Sequence, residues 1–211
     1  MEFNLKSLEN AFYSDGYRIG NAVCESGFKE EALYSAVAEM YSAIDGFIYM
    51  LTEYAGKSNQ PVDCKKGCEW CCHQPVFALQ HEMDYLSYFI ETHFDELQKQ
   101  KIAEKAEMKK QAFGFLQEKE LLNAKFPCPL LENGACIAYE ARPMACRIYL
   151  SYNVKSCLRF FHQPSDSESI PNLLEIPLKA GRMINEGFKA ALKLYGYETK
   201  EFRIEEKLFE Q

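Results

Sequence analysis

The chain has 211 residues, 47% hydrophobic and 14% aromatic, with a formal charge of -7. That suits one sizeable core better than two full domains, and it excludes a chain too polar to fold. The acidic balance, with pI ≈ 5.3, argues against affinity for nucleic acid through phosphate neutralisation. No apolar run reaches the about 20 residues a membrane span requires. The first residues, M-E-F-N-L-K-S-L-E-N, have neither a basic leader nor an apolar core, so a cytoplasmic, reducing setting is expected. In that setting nine cysteines point to metal or redox chemistry before disulfides.

Residues 3–24 carry a helical pattern interrupted by Gly16 and Gly20, which cost roughly 1 kcal/mol each relative to alanine, so one or two short helices are expected. From Phe28 to Tyr54, apolar residues recur at Leu33, Val37, Met40, Ile44, Phe47, Leu51 and Tyr54, the spacing of one stripe on a helix. The stretch K-S-N-Q-P-V-D after Gly56 breaks that pattern. Pro75 to Leu79 reads as a short extended segment, followed by a helix from Gln80 with Met83, Leu86, Phe89 and Ile90 on one side. Asp95 then caps a long charged helix to about Leu122, its charges a solvated face.

Between Phe126 and Cys157 the texture turns to Pro, Gly, Asn and Cys, that of a loop-rich lobe, and Asn133-Gly134 signals a two-residue hairpin. Pro164 to Pro171 reads as a surface connection. Leu178, Met183, Ile184, Phe188, Leu192 and Tyr195 outline a last helix ending at Gly196, with a short helix or tail beyond residue 198. The fold class expected is mainly α: a helical domain with a small irregular cysteine-rich metal lobe containing a short β-hairpin. Its parts are N-terminal helices over 1–60, a cysteine core over 61–163 that includes the helices within 80–122, and a C-terminal helix and tail over 164–211, all one folded unit.

Cys64, Cys68, Cys71 and Cys72 fall within nine residues, so one loop can present several soft sulfur donors to one centre, with Gly67 allowing a tight bend. Alpha carbons of neighbours such as Cys71 and Cys72 lie about 3.8 Å apart, below the roughly 4.4–6.8 Å of a disulfide. That pair is expected to divide its work, one sulfur on the main site and one elsewhere. Cys128, Cys136, Cys146 and Cys157 form a second, wider group. A strict hairpin places Cys136 opposite Leu131 and sends Cys128 to the other face; both reach one centre only if Pro129 ends the ladder or a bulge shifts it, and such a break is expected. Eight cysteines exceed the four that one ion or one cluster needs, so there are two sites or some are supporting. Cys24 stands apart as a core thiol.

The order C-x3-C-x2-C-C, then C-P-L, then G-A-C-I-A-Y-E-A-R-P-M-A-C-R resembles the YkgJ-type cysteine-cluster family of zinc- or iron-chelating domains, over about Cys64 to Cys157. In that family the first pair is often two residues apart, against three here. The resemblance implies a metal or iron–sulfur centre. Through a related domain in flagellin lysine N-methylases it also implies a methyltransferase or accessory as one reading. Cys64, Cys68 and Cys71 satisfy the triad of radical S-adenosylmethionine enzymes too, but the adjacent Cys72 and the helical residues after it argue against that reading.

Arg142 and Arg147 flank Cys146 and are candidates to bind a substrate carboxylate or temper thiolate charge; the alternative is an ion pair with Glu140 or bonds to loop carbonyls. His73 is a candidate replacement ligand, and Trp70 and Tyr139 are expected to shield the centre from water. The leading expectation is a cysteine-ligated iron–sulfur cluster of the 4Fe-4S type, serving redox or cluster-dependent chemistry on an unidentified substrate. Structural zinc in a protein-interaction domain is the alternative. The expected partner is a protein or small molecule of unidentified kind, with neither nucleic acid nor membrane.

Overall fold

The structure, a computed structural model, describes residues 5–57 and 62–209. Helices dominate it. The first, α1 (Leu5–Glu25), is one unbroken helix rather than two short ones. Gly16 and Gly20 are the reason, because they lie in its buried stripe with Ile19, Val23 and Cys24 and let a second backbone approach. A Cβ on Gly16 would sit 1.9 Å from the Ile184 carbonyl oxygen, and one on Gly187 would sit 2.0 Å from that of Tyr13. Both Ile184 and Gly187 belong to α8 (Glu175–Leu194), which ends at Gly196 with a φ of +81°. Gly187→Val is therefore expected to destabilise the fold by about 3 kcal/mol or more, the upper end for overpacked interiors. Gly46→Ala, which meets open space in a helix, should instead stabilise by up to ~1 kcal/mol. Urea unfolding of the two variants checks both signs.

α2 (Glu30–Lys57) buries Leu33, Val37, Met40 and Ile44 as its spacing predicts, while Tyr54 at its far end is exposed. The segment that follows lies largely outside the described residues. β1 (Phe77–Leu79) leads directly into α3 (Gln80–His93). α4 (Glu96–Phe113) starts on Asp95, whose side chain accepts the Gln98 N–H at 2.8 Å. It stops well short of Leu122: after Gly114 a separate helix, α5 (Glu118–Asn123), starts where Glu120 accepts the Gln117 N–H at 2.9 Å.

The hairpin forms from β2 (Leu131–Glu132) and β3 (Ala135–Cys136) with Leu131 opposite Cys136. Asn133 and Gly134 take positive φ values of 49° and 78°, as a tight two-residue turn demands. Beyond it the lobe is more helical than its texture suggests, with α6 (Met144–Ile148) and α7 (Val154–His162). The C-terminal segment is neither plain helix nor tail. Its β4 (Glu201–Arg203) pairs antiparallel with β1, Ala78 against Phe202, before the short α9 (Ile204–Lys207).

Two apolar cores result. One joins α1, α2, α6 and α8 through Val37, Met40, Ile44, Met144, Ile184 and Phe188. The other joins α3, α4, the hairpin region and α9 through Met83, Leu86, Ile90, Ile102, Leu130 and Ile204, and it includes Cys128. Glu82, 2% exposed, bridges them: its carboxylate accepts from the Tyr41 hydroxyl (3.0 Å), the Met144 N–H (2.7 Å), the Leu79 N–H (3.0 Å) and the Asn185 amide (3.2 Å). Among the described residues no helix is long and apolar enough to cross a membrane.

Beside Glu82, His81 is fully buried against Phe188, with Nε2 on the Asn185 side chain at 3.2 Å. Burial holds its imidazole below the ordinary range. The unfolded chain then takes up this proton first, near pH ~6.5. Stability is complete above that pH and falls as the pH drops below it, by at most about 1.4 kcal/mol per pH unit. The difference between wild-type and His81→Leu urea midpoints should therefore change between pH 7.5 and 5.5, with the variant losing less on acidification.

Candidate metal centre

Seven of the eight candidate ligands, Cys64, Cys68, Cys71, Cys72, Cys128, Cys136 and Cys146, line one cavity of about 250 Å³. Hydrogen bonds of the backbone assemble it. The N–H groups of Asp63 and Cys64 both donate to the Ser151 carbonyl, at 3.1 and 3.2 Å, which anchors the first cysteine. A turn follows in which Cys68 N–H reaches the Lys65 carbonyl at 3.0 Å, and Gly67 takes a φ of +92° that a side chain would strain. Cys71 and Cys72 then fall in a single 3₁₀ turn, Trp70–His73. The two cysteine blocks are joined directly: Cys128 N–H donates to the Cys72 carbonyl and Phe126 N–H to that of His73, each at 2.8 Å.

Pro129 and Leu130 form the break that the hairpin requires, with Leu131 N–H returning to the Cys128 carbonyl at 2.9 Å. This turn lets Cys128 and Cys136 face the same cavity although strand alternation alone would separate them. Cys146 comes from α6. Cys157, on α7, is outside the cavity wall, yet its charge acts on both Cys64 and Cys68. Cys24 is buried in the helical core, its thiol 3.8 Å from the Ala191 carbonyl.

Burial pushes the Cys128 thiol up to about 12 and the Cys136 thiol up to about 11, and holds Cys146 well above its ordinary value. Cys64 and Cys68 are raised by burial as well. The adjacent pair is the exception: Cys71 donates its proton toward Cys72, which raises Cys71 and lowers Cys72. Metal binding must therefore displace protons from most of these thiols. Cys72, Cys128, Cys136 and Cys146 all act on one another electrostatically, and Cys64 interacts with Cys68, Cys71 and Cys157; Cys71 also feels Cys146 and Cys68 feels Cys72, so the two sets are continuous.

Cations attend the thiols: Lys65 and Arg142 line the cavity, and Lys109 lies beside it. Lys109 of α4, 1% exposed, donates to the Gln74 and Phe126 carbonyls at 3.0 and 3.1 Å, clipping the two blocks together. Its charge lowers Cys72 and Cys128, while burial lowers its own pKa. Sequence reasoning missed it, although Ile102, Ala106, Lys109 and Phe113 share one buried stripe of α4. Arg142 lines the cavity, with its guanidinium over the Tyr139 ring at 3.7 Å and its second partner, Asp45, at 3.7 Å.

Arg147 does not line it. The helical rotation that places Cys146 in the cavity turns Arg147 inward, to Asp45, the Glu140 carbonyl and the Arg142 carbonyl, with Tyr41 under its guanidinium at 4.0 Å. The loop-carbonyl bonds of the alternative reading are thus present, but the paired carboxylate is Asp45, not Glu140. His73 is also turned away, its ring 4.9 Å from Phe161, against which Trp70 packs too. Tyr139, but not Trp70, lines the cavity.

Among the described residues, no three or more Cys, His, Asp or Glu side chains are closed around a single ion-sized point. The donor set nonetheless fits a soft metal centre: seven sulfurs, no carboxylate among the described lining residues, and apolar side chains such as Val76, Phe77, Leu130 and Ile204 between them.

Residues 63–166 match the profile of the CxxCxxCC family, whose description reads "Putative zinc- or iron-chelating domain". No curated protein and no solved structure matches the chain. The matched stretch contains all eight clustered cysteines, both backbone clips between them and Lys109. Over residues 63–166, just under half its length, the chain is thus similar to the CxxCxxCC family of zinc- or iron-chelating domains, and metal binding is what that similarity supports.

Proposed function

We propose that the cavity holds an iron–sulfur cluster of the 4Fe-4S type, with Cys72, Cys128, Cys136 and Cys146 as its direct ligands and Cys64, Cys68, Cys71 and Cys157 as a supporting rank. The observation that carries this reading is the arrangement of seven thiols around one cavity of about 250 Å³. One tetrahedral zinc gathers its sulfurs at about 2.3 Å from a single point. A four-iron cluster gives each thiolate its own iron and so asks for a larger, sulfur-lined chamber. With all four irons capped by cysteine, such a cluster would supply one-electron transfer.

The chain's own residues do the rest. Lys109 and Arg142 offset the negative charge of the thiolates, and the apolar lining keeps water away from the sulfurs. Arg142, which lines the cavity wall together with Lys65, is the residue proposed to orient an acidic substrate or partner group. Protein purified without oxygen should be brown, with a broad visible absorption that bleaches on reduction with dithionite. A colourless protein that stays colourless after anaerobic reconstitution with iron and sulfide would overturn the proposal in favour of zinc.

A further inference from the structure

A second cavity lies among the start of α2, the middle of α3 and the end of α8, and shares no lining residue with the cysteine cavity. Its volume of about 870 Å³ is within the ~300–1,000 Å³ of small-molecule sites. Aromatic rings wall it: Tyr34 stacks on Tyr88 with centroids 4.5 Å apart, and Phe28 on Tyr197 at 5.8 Å. Tyr88 and Tyr195 still present 44% and 53% of their surface, although nothing in the core requires rings there.

The polar groups of the same cavity are mostly acidic. Asp84 accepts from the Tyr197 hydroxyl and from the Gln80 amide, Glu30 stands in the first turn of α2, and Glu91 is paired with Lys99 at 2.6 Å. Among the described lining residues Lys207 is the one cation. Burial and the bond to Asp84 hold the Tyr197 phenol far above its ordinary range, so it remains a hydrogen-bond donor. Aromatic faces carry negative potential, and a negatively charged aromatic chamber favours an organic cation over a neutral or anionic ligand.

We propose that this cavity binds a free small-molecule alkylammonium cation, with Asp84 as its counter-charge and the rings of Tyr34, Tyr88 and Tyr197 against its alkyl groups. A free ligand suits the cavity better than a lysine tip from a partner protein, which would fill a small part of its volume. The site is independent of the metal centre and of the function proposed for it.

The test is calorimetric titration of the full chain with choline and, in parallel, with its neutral isostere 3,3-dimethylbutan-1-ol. Choline should bind saturably and at least about tenfold tighter than the isostere, and more weakly at high salt. Tyr88→Ala and Asp84→Asn should each weaken choline binding by about fivefold or more, with melting curves showing that both remain folded. Asparagine can still accept from Tyr197, so the second variant removes charge rather than the hydrogen bond. Absence of saturable choline binding, equal binding of the neutral isostere, or unchanged affinity in both variants would overturn the proposal.

Discussion

Replacing Glu82 with alanine will destabilise the protein by about 4 kcal/mol or more. Four donors from separate elements, the Tyr41 hydroxyl, the Leu79 and Met144 N–H groups and the Asn185 amide, converge on this one buried carboxylate. Removing it leaves each donor unpaired in the interior at a cost of ~1–3 kcal/mol apiece before relaxation. Against a total stability of about 5–15 kcal/mol, that is enough to populate the unfolded state. Glu82→Gln should fall between, because one acceptor oxygen survives while the amide nitrogen confronts two donors. Urea unfolding checks the series. A loss under about 1 kcal/mol for the alanine variant would mean that the two cores are not joined through this residue.

Stripping the metal will loosen the cysteine lobe well before the helical core. The lobe's regular elements are short, and its segments meet through a few bonds: the two from residues 126 and 128 to residues 72 and 73, the pair onto the Ser151 carbonyl, and the Lys109 clip. Several buried thiols, a buried lysine and the buried carboxylate of Glu205, ion-paired with Arg203 at 3.2 Å, lie close together there. A bound metal compensates for that burial and contributes folding energy directly. Anaerobic chelation is therefore expected to lower Tm by about 10 °C or more, the equivalent of a few kcal/mol in a chain of this size. Hydrogen exchange should localise the change to residues 62–79 and 126–157, with α1 and α8 retaining protection. Lys109→Met should reproduce part of the loosening even in loaded protein, since it removes both carbonyl bonds.

The features legible in the sequence are those set by local chemistry. Asn133-Gly134 fixes a turn type, and the turn fixes which residue faces Cys136, so the register of the hairpin could be stated outright. The apolar stripe of α2 and the cap at Asp95 are likewise local. Gly16 and Gly20 were misread because propensity penalises glycine in any helix, whereas here the penalty is outweighed by the approach of α8, an element more than 150 residues away in the chain. β4 escaped notice for a related reason: three residues have no periodicity of their own, and the partner strand β1 is far off in sequence.

The site divides along the same line. Soft ligands at close spacing announced the centre, and the break at Pro129 was the condition for Cys128 and Cys136 to share it. Spacing could not separate Cys157, displaced from the wall by its helix, from the seven that line the cavity. Arg147 neighbours Cys146 in sequence, but one helical step points it at Asp45 instead. Lys109 is one of many charges on α4, and its place in the stripe of Ile102, Ala106 and Phe113 is what sets it apart as buried.

The proposed centre is tested most directly by counting iron, zinc and acid-labile sulfide per chain after anaerobic purification and reconstitution. Iron and sulfide near about four each, with both lost in a Cys128→Ser, Cys146→Ser double variant that keeps its helical circular dichroism, is the predicted result. One equivalent of zinc, with neither iron nor sulfide retained, would contradict it.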